Sequence, residues 1–154
     1  MKPERKNYNM KKNSFDLIIT ALDGGCIQVL CFKNNNIGGV SSLKGSTLPH
    51  LLFFDLSENN ITTTPSIETY SSMTHLILNG NSIREEGCRM VAKLLQRQES
   101  SLRQLDLALN SLGDREVEII ASSIVINTTL VDLDLDCQLN RDEYHSRGFR
   151  LGWE

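Results

Sequence analysis

A frame of apolar residues closed by asparagine recurs along this chain, and a recurring frame constrains a fold more than any single residue does. Written apolar-x-x-apolar-x-apolar-x-x-Asn-x-apolar, it appears in full four times. The copies are Ile27, Leu30, Phe32, Asn35, Ile37; then Leu51, Phe54, Leu56, Asn59, Ile61; then Met73, Leu76, Leu78, Asn81, Ile83; then Leu102, Leu105, Leu107, Asn110, Leu112. A fifth begins at Leu130, Leu133 and Leu135 and carries Gln138 where asparagine is expected. The copies start 24, 22, 29 and 28 residues apart. A period in the twenties is the mark of a solenoid, in which each unit is too small to bury its own apolar side and does so by stacking on the next.

Inside each frame the residues x-apolar-x-apolar-x alternate, the period of a strand with one face turned inward. Side by side, such strands form a parallel sheet. The asparagine follows the strand where the chain bends into the interior and leaves backbone groups outside the ladder. Its amide offers two donors and an acceptor, so a column of Asn35, Asn59, Asn81 and Asn110 can satisfy those groups. Gln138 has the same chemistry with one methylene too many, which weakens the column at the fifth unit.

The segments that return between strands differ. Residues 85–98, EEGCRMVAKLLQRQ, place Cys88, Val91, Ala92 and Leu95 on one helical face. Glu85 and Glu86 at the start and Arg97 near the end suit the helix dipole. Residues 114–125 repeat the pattern, with Asp114 the expected N-cap. By contrast 62–72 and 37–50 are rich in glycine, proline, serine and threonine, and predict irregular returns. Residues 15–22, FDLIITAL, predict the helix of an incomplete leading unit that packs on the first strand. Helices pack about 8–10 Å apart and strands about 4.8 Å, so the helical side must fan outward into an arc with the sheet on its concave side.

These frames resemble the leucine-rich repeat family over residues 27–138. The third and fourth units resemble the ribonuclease-inhibitor type, their second halves aligning at an offset of 29, Cys88 with Val117 and Leu95 with Ile124. The first two units resemble the shorter 22–24-residue type. The resemblance implies an α/β leucine-rich repeat solenoid: an arc with a parallel β-sheet on the concave face and helices and irregular turns on the convex face. It implies non-catalytic protein binding along the concave strands. Repeats of the ribonuclease-inhibitor type also occur in activators of a nuclear-transport GTPase and in innate-immune receptors, so a regulator of a small GTPase is the alternative. No residue here matches a nucleotide-binding domain, and no arginine is marked as catalytic.

The organisation expected is a basic disordered tail over 1–14, a repeat domain over 15–139 and a non-repeat tail over 140–154. The first of these holds five Lys or Arg against one Glu. At the other end Phe149, Leu151 and Trp153 alternate and are able to fold back over the last strand. The preferred reading is truncation of a longer array, without independent function in the extreme case, because nothing after Leu139 has the helical face that covers a solenoid end.

Net charge is −3, from 16 Lys or Arg against 19 Asp or Glu, which argues against nucleic acid or a membrane surface as a general partner. Asp16 interrupts the only early apolar run, no small-x-small cleavage site follows, and no run approaches the ~20 residues of a membrane span. Cys26, Cys31, Cys88 and Cys137 have no metal spacing and no paired cap arrangement. Reduced thiols and a cytoplasmic chain are therefore expected. Two glycosylation sequons, at Asn60 and Asn127, carry little weight without a secretory signal.

Catalysis is not expected. The three histidines, His50, His75 and His145, belong to no triad, and an open arc excludes little water. Cofactor, metal and small-molecule substrate are likewise not expected. The candidate binding residues are the strand positions that face away from the core. Phe53, His75 and Ile77 form a small apolar and aromatic group. Asp55 lies beside them, Gln104 beyond, and Asp106, Asp132, Asp134 and Asp136 gather toward the last strands. Like charges crowded on one face repel one another, so this end suits a basic protein partner. Solubility of an exposed face is the competing explanation, and a calcium site on Asp132, Asp134 and Asp136 is disfavoured because one strand supplies few converging oxygens.

Overall fold

The structure is a computed structural model that describes residues 12–38, 47–64, 70–136 and 150–152. The expected basic tail thus lies largely outside the described residues, as do Cys137, Gln138, His145, Phe149 and Trp153.

Each repeat frame contributes one three-residue strand: β1 (Val29–Cys31), β2 (Phe53–Asp55), β3 (His75–Ile77), β4 (Gln104–Asp106) and β5 (Asp132–Asp134). They pair in parallel and in chain order, with the central residues Leu30, Phe54, Leu76, Leu105 and Leu133 in one register row. The alternation predicted from sequence is the burial pattern found: in each strand the middle side chain is buried and its neighbours face out. Leu56, Leu78 and Leu107 follow in a second buried row. The fold is a leucine-rich repeat solenoid of α/β class.

Three helices accompany the strands: α1 (Lys12–Leu22), α2 (Glu85–Leu95) and α3 (Asp114–Ile124). The helix α1 starts three residues earlier than the apolar run suggests. It turns Phe15 and Ile19 into the stack, both fully buried. Phe15 meets Phe32 edge-on at 5.0 Å, and Phe32 meets Phe54 at 6.5 Å, so an aromatic series closes the first coil. The helix α2 buries Cys88, Val91, Ala92 and Leu95, the predicted face.

For α3 the cap differs from expectation. The N-cap is Gly113, and Asp114 is the first helical residue. Glu116 reaches back to accept the Gly113 N–H at 3.2 Å, while glycine has no side chain to return a bond. Asp114 acts through its charge at the positive end of the helix instead.

Residues 62–64 and 70–72 contain no helix, as their composition predicts, and 65–69 and 39–46 lie outside the described residues. A sixth strand, β6 (Arg150–Gly152), pairs antiparallel with β5, Leu151 opposite Leu133. The sheet is therefore parallel over its five repeat strands and antiparallel at its last pairing. This pairing is the backbone form of the fold-back alternative.

The asparagine column forms in full at three coils. Asn81 Nδ2 donates to Leu78 O at 2.8 Å in its own coil and to Leu56 O at 3.0 Å in the previous one, while Oδ1 accepts the Ile61 N–H at 3.1 Å. Asn59 repeats this with Leu56, Phe32 and Ile37, and Asn110 with Leu107, Leu78 and Ile83. Asn35, with no described coil's bend before it, bonds its own coil at Phe32 O and Lys33 O.

Candidate functional site: the outward sheet face

The outward positions of the strands fall into two register rows. One runs Val29, Phe53, His75, Gln104, Asp132; the other runs Cys31, Asp55, Ile77, Asp106, Asp134. All nine sequence-selected residues lie on this face or, for Asp136, in the turn just beyond it. The rows divide the face by chemistry. Over β1 to β3 it is largely apolar: Val29 is 60% exposed, Ile77 is half-buried, and the Phe53 and His75 rings lie 5.8 Å apart, tilted at 39°. His75 is fixed from its other side by a 2.8 Å hydrogen bond between Nδ1 and Thr74 Oγ1. Over β4 and β5 the face is carboxylate-rich.

Several carboxylates also serve the backbone. Asp55 Oδ1 accepts the Ser57 N–H at 2.9 Å and the Ser57 hydroxyl at 2.6 Å. Asp106 Oδ1 accepts the Ala108 N–H at 3.0 Å, and Asp134 Oδ1 the Asp136 N–H at 2.9 Å. The three occupy the same register position, two residues before the turn. Aspartate there holds the strand's exit by a local side-chain bond. The other oxygen of Asp106 accepts from Asn79 Nδ2 at 2.8 Å. Burial pushes the Asp106 carboxyl above its ordinary range; the bonds from Ala108 and Asn79 pull against this, and the charges of Asp134 and Asp55 add to the rise. Burial first, and the neighbouring carboxylates to a smaller extent, thus make ionisation of Asp106 costly. Nearer the start, Lys33 pairs with Glu58 at 3.0 Å, which raises the Lys33 ammonium.

A second series of positions escaped the sequence reading. Asn34, Glu58, Gly80 and Leu109, each just before a column asparagine, all have left-handed backbones, with φ of 56°, 54°, 65° and 56°. Each sends its N–H to the next coil, Asn34 to Ser57 O, Glu58 to Asn79 O, Gly80 to Ala108 O and Leu109 to Asp136 O, at 2.8–3.0 Å. The signal was present in the asparagine and glycine at two of the four places, residue types that tolerate positive φ.

The cysteines among the described residues are free thiols: Cys26 and Cys31 exposed, Cys88 buried. Burial pushes the Cys88 thiol up to about 12, with a smaller contribution from Glu116, so it packs as a small apolar group rather than a nucleophile. Asn127 of the second sequon donates to Leu95 O at 2.7 Å and accepts from the Thr129 and Leu130 N–H groups. It ties the last return loop to the end of α2, which is why asparagine is needed there. Among the described residues there is no grouping of three or more His, Cys, Asp or Glu able to hold a metal ion. Nor is any described helix long and apolar enough to cross a membrane.

Strand, asparagine turn and return, stacked coil on coil, define the repeat-solenoid class of fold. A family model described as Leucine Rich repeat matches residues 71–92 and 98–115, the third unit and the first half of the fourth, and this supports the leucine-rich repeat family for the chain. No curated protein matches it.

Proposed function

We propose that this chain is a non-catalytic protein-interaction module that docks a partner on its outward sheet face. The observation that supports this most is the division of that face into an aromatic and aliphatic area at Val29, Phe53, His75 and Ile77 and an acidic area at Asp106, Asp132, Asp134 and Asp136. Backbone hydrogen bonds and a filled interior hold the side chains of both areas at fixed spacing. Such preorganisation lowers the ordering cost of binding. Phe53 is the anchor residue in this reading, since partly exposed aromatics in a rigid setting carry much of an interface's energy. The partner is basic where it faces β4 and β5. The offset of 29 residues between α2 and α3 supports the ribonuclease-inhibitor type for the third and fourth units, and the site is intracellular.

Affinity capture with the wild-type chain, Phe53→Ala and an Asp132→Lys/Asp134→Lys double variant tests this. Partners held by wild type should be lost or strongly depleted in both variants, with all three proteins folded by circular dichroism. Equal recovery by the three would show that the partner docks elsewhere.

A further inference from the structure

The hydrogen bonds around Thr74 fix which ring nitrogen of His75 carries the hydrogen. The Thr74 hydroxyl has two polar neighbours, Leu52 O at 3.0 Å and His75 Nδ1 at 2.8 Å, and it owns one hydrogen. Leu52 O can only accept, and the Thr74 and His75 N–H groups hold it in place at 2.9 and 3.0 Å. A hydroxyl turned toward the ring would leave two oxygens 3.0 Å apart with no hydrogen between them. The hydroxyl therefore donates to Leu52 O, and the Nδ1–H of His75 donates to Thr74 Oγ1. In a neutral imidazole a hydrogen on one nitrogen makes the other an acceptor. His75 thus keeps a lone pair on Nε2, which has no hydrogen-bond partner among the described residues.

The coil itself does not require this arrangement. The positions that match Thr74 in the other frames are Gln28, Leu52, Arg103 and Val131, none with a hydroxyl. Those that match His75 are Val29, Phe53, Gln104 and Asp132. The acceptor belongs to a half-buried ring on the outward sheet face, 5.8 Å from the Phe53 ring. The register places Asp55 and Ile77 in the next row beside this pair. Lys33, two residues past Cys31 in that row, is already paired with Glu58. A group that satisfies these neighbours must donate a hydrogen bond, lie against an aromatic ring and carry positive charge. A guanidinium does all three, whereas an ammonium is a strongly hydrated point charge without a planar face.

We propose that His75 and Phe53 seat an arginine side chain of the partner, with His75 Nε2 accepting from the guanidinium and the Phe53 ring lying against its plane. This rests on the docking reading of the sheet face and specifies what its aromatic end selects. Thr74 is a positioning residue: its hydroxyl keeps the ring hydrogen on Nδ1 and so keeps Nε2 open to a donor. Asp55, whose Oδ1 is taken up by the Ser57 N–H and hydroxyl, contributes through its charge. That charge favours a cation over a neutral donor such as an indole.

The test reads the ring first and the ligand second. Long-range proton–nitrogen NMR spectra of the full chain at about pH 8, where an ordinary imidazole is neutral, distinguish the two ring forms, and His75→Phe identifies the signal by deleting it. Wild type should show hydrogen on Nδ1, and Thr74→Val should move it to Nε2. Hydrogen on Nε2 in wild type overturns the proposal. Two blocked glycine–serine peptides of equal charge, one carrying arginine and the other lysine, are then titrated while the Phe53 and His75 amide shifts are followed. Wild type should bind the arginine peptide about fivefold more tightly, the worth of one further exposed contact. His75→Phe, folded by circular dichroism, should bind both equally weakly. Absence of the preference in wild type, or its survival in His75→Phe, overturns the seat. Loss of captured partner by Phe53→Ala but not by His75→Phe also overturns it and leaves the docking face itself standing.

Discussion

At the scale of single residues, two kinds of position hold each coil to the next. The column asparagines bridge coils through their side chains, and the left-handed residues beside them bridge coils through their backbones. Replacing Asn81 by alanine removes bonds to Leu56 O, Leu78 O and the Ile61 N–H together. Each buried group left unpaired costs about 1–3 kcal/mol, so a loss of about 3 kcal/mol or more is expected, read as the urea midpoint of unfolding. Leu109→Asn should move the other way by about 1 kcal/mol, since the left-handed penalty on an ordinary side chain is about 1–2 kcal/mol and little burial is given up. Asp106 gives a pH signature. Its folded value lies above the ordinary 3.8, so the protonated form is favoured by the fold. Stability from this group is full below the ordinary value and is lost as pH rises through the folded one. Between about pH 3 and about pH 7 the stability of Asp106→Asn relative to wild type should therefore rise. A difference independent of pH would show that Asp106 titrates as it does in the unfolded chain. The asparagine column was legible in the sequence because one residue type recurs in register. The left-handed series was not, because a conformational requirement met by Asn34, Glu58, Gly80 and Leu109 shares no chemistry that a reader of side chains would group.

At the scale of elements, the strands were the easiest to read and the helix ends the hardest. Apolar alternation fixes a strand's inward face whatever its ends do, and all five repeat strands keep it. A helix boundary depends on a difference of a few tenths of a kcal/mol between competing caps. Thus Gly113 takes the place expected for Asp114, and α1 extends back to Lys12. Packing between elements was invisible for a related reason. Gly87 in the first turn of α2 lies where an added Cβ would approach Ile83 Cγ2 at 2.8 Å and Thr62 O at 3.2 Å. Its carbonyl also accepts the Thr64 hydroxyl at 3.2 Å, so helix and preceding return are in direct contact. Glycine in a helix normally costs about 1 kcal/mol against alanine. Here overpacking should outweigh that gain, at about 1–3 kcal/mol. Gly87→Ala is therefore expected to be destabilised in thermal unfolding; a stabilised variant would mean that α2 moves away from the second return without cost. The outward residues of the site were predictable by the same alternation that located the strands. Their roles were less so, since three of the aspartates hold their own turns.

At the scale of the whole molecule, the stack is not equally closed along its length. Its beginning is covered by α1, whose Phe15 and Ile19 are fully buried against the first coil. Toward both ends of the described stack the apolar side chains become wetter than in the middle: Leu76 and Leu105 are fully buried, while Leu30 and Leu133 retain a little exposure and Ile27, Leu130 and Leu135 are only partly covered. At the end of α3, Val125 is 83% and Ile126 63% exposed, whereas the positions 29 residues earlier hold Gln96 and Arg97. The side chains of the two central rows share one interior, so removing one affects the units on both sides of it. Leu105 has repeat units on both sides. Leu133 has a repeat unit on one side and, among the described residues, β6 on the other. Leucine-to-alanine changes in cores cost about 2–5 kcal/mol, the upper values arising where the surroundings cannot collapse into the space. Leu105→Ala should fall near the top of that range and Leu133→Ala near the bottom, measured as denaturant unfolding of the full chain followed by far-ultraviolet circular dichroism. Equal costs would show that the chain after β5 closes the interior as firmly as another repeat does.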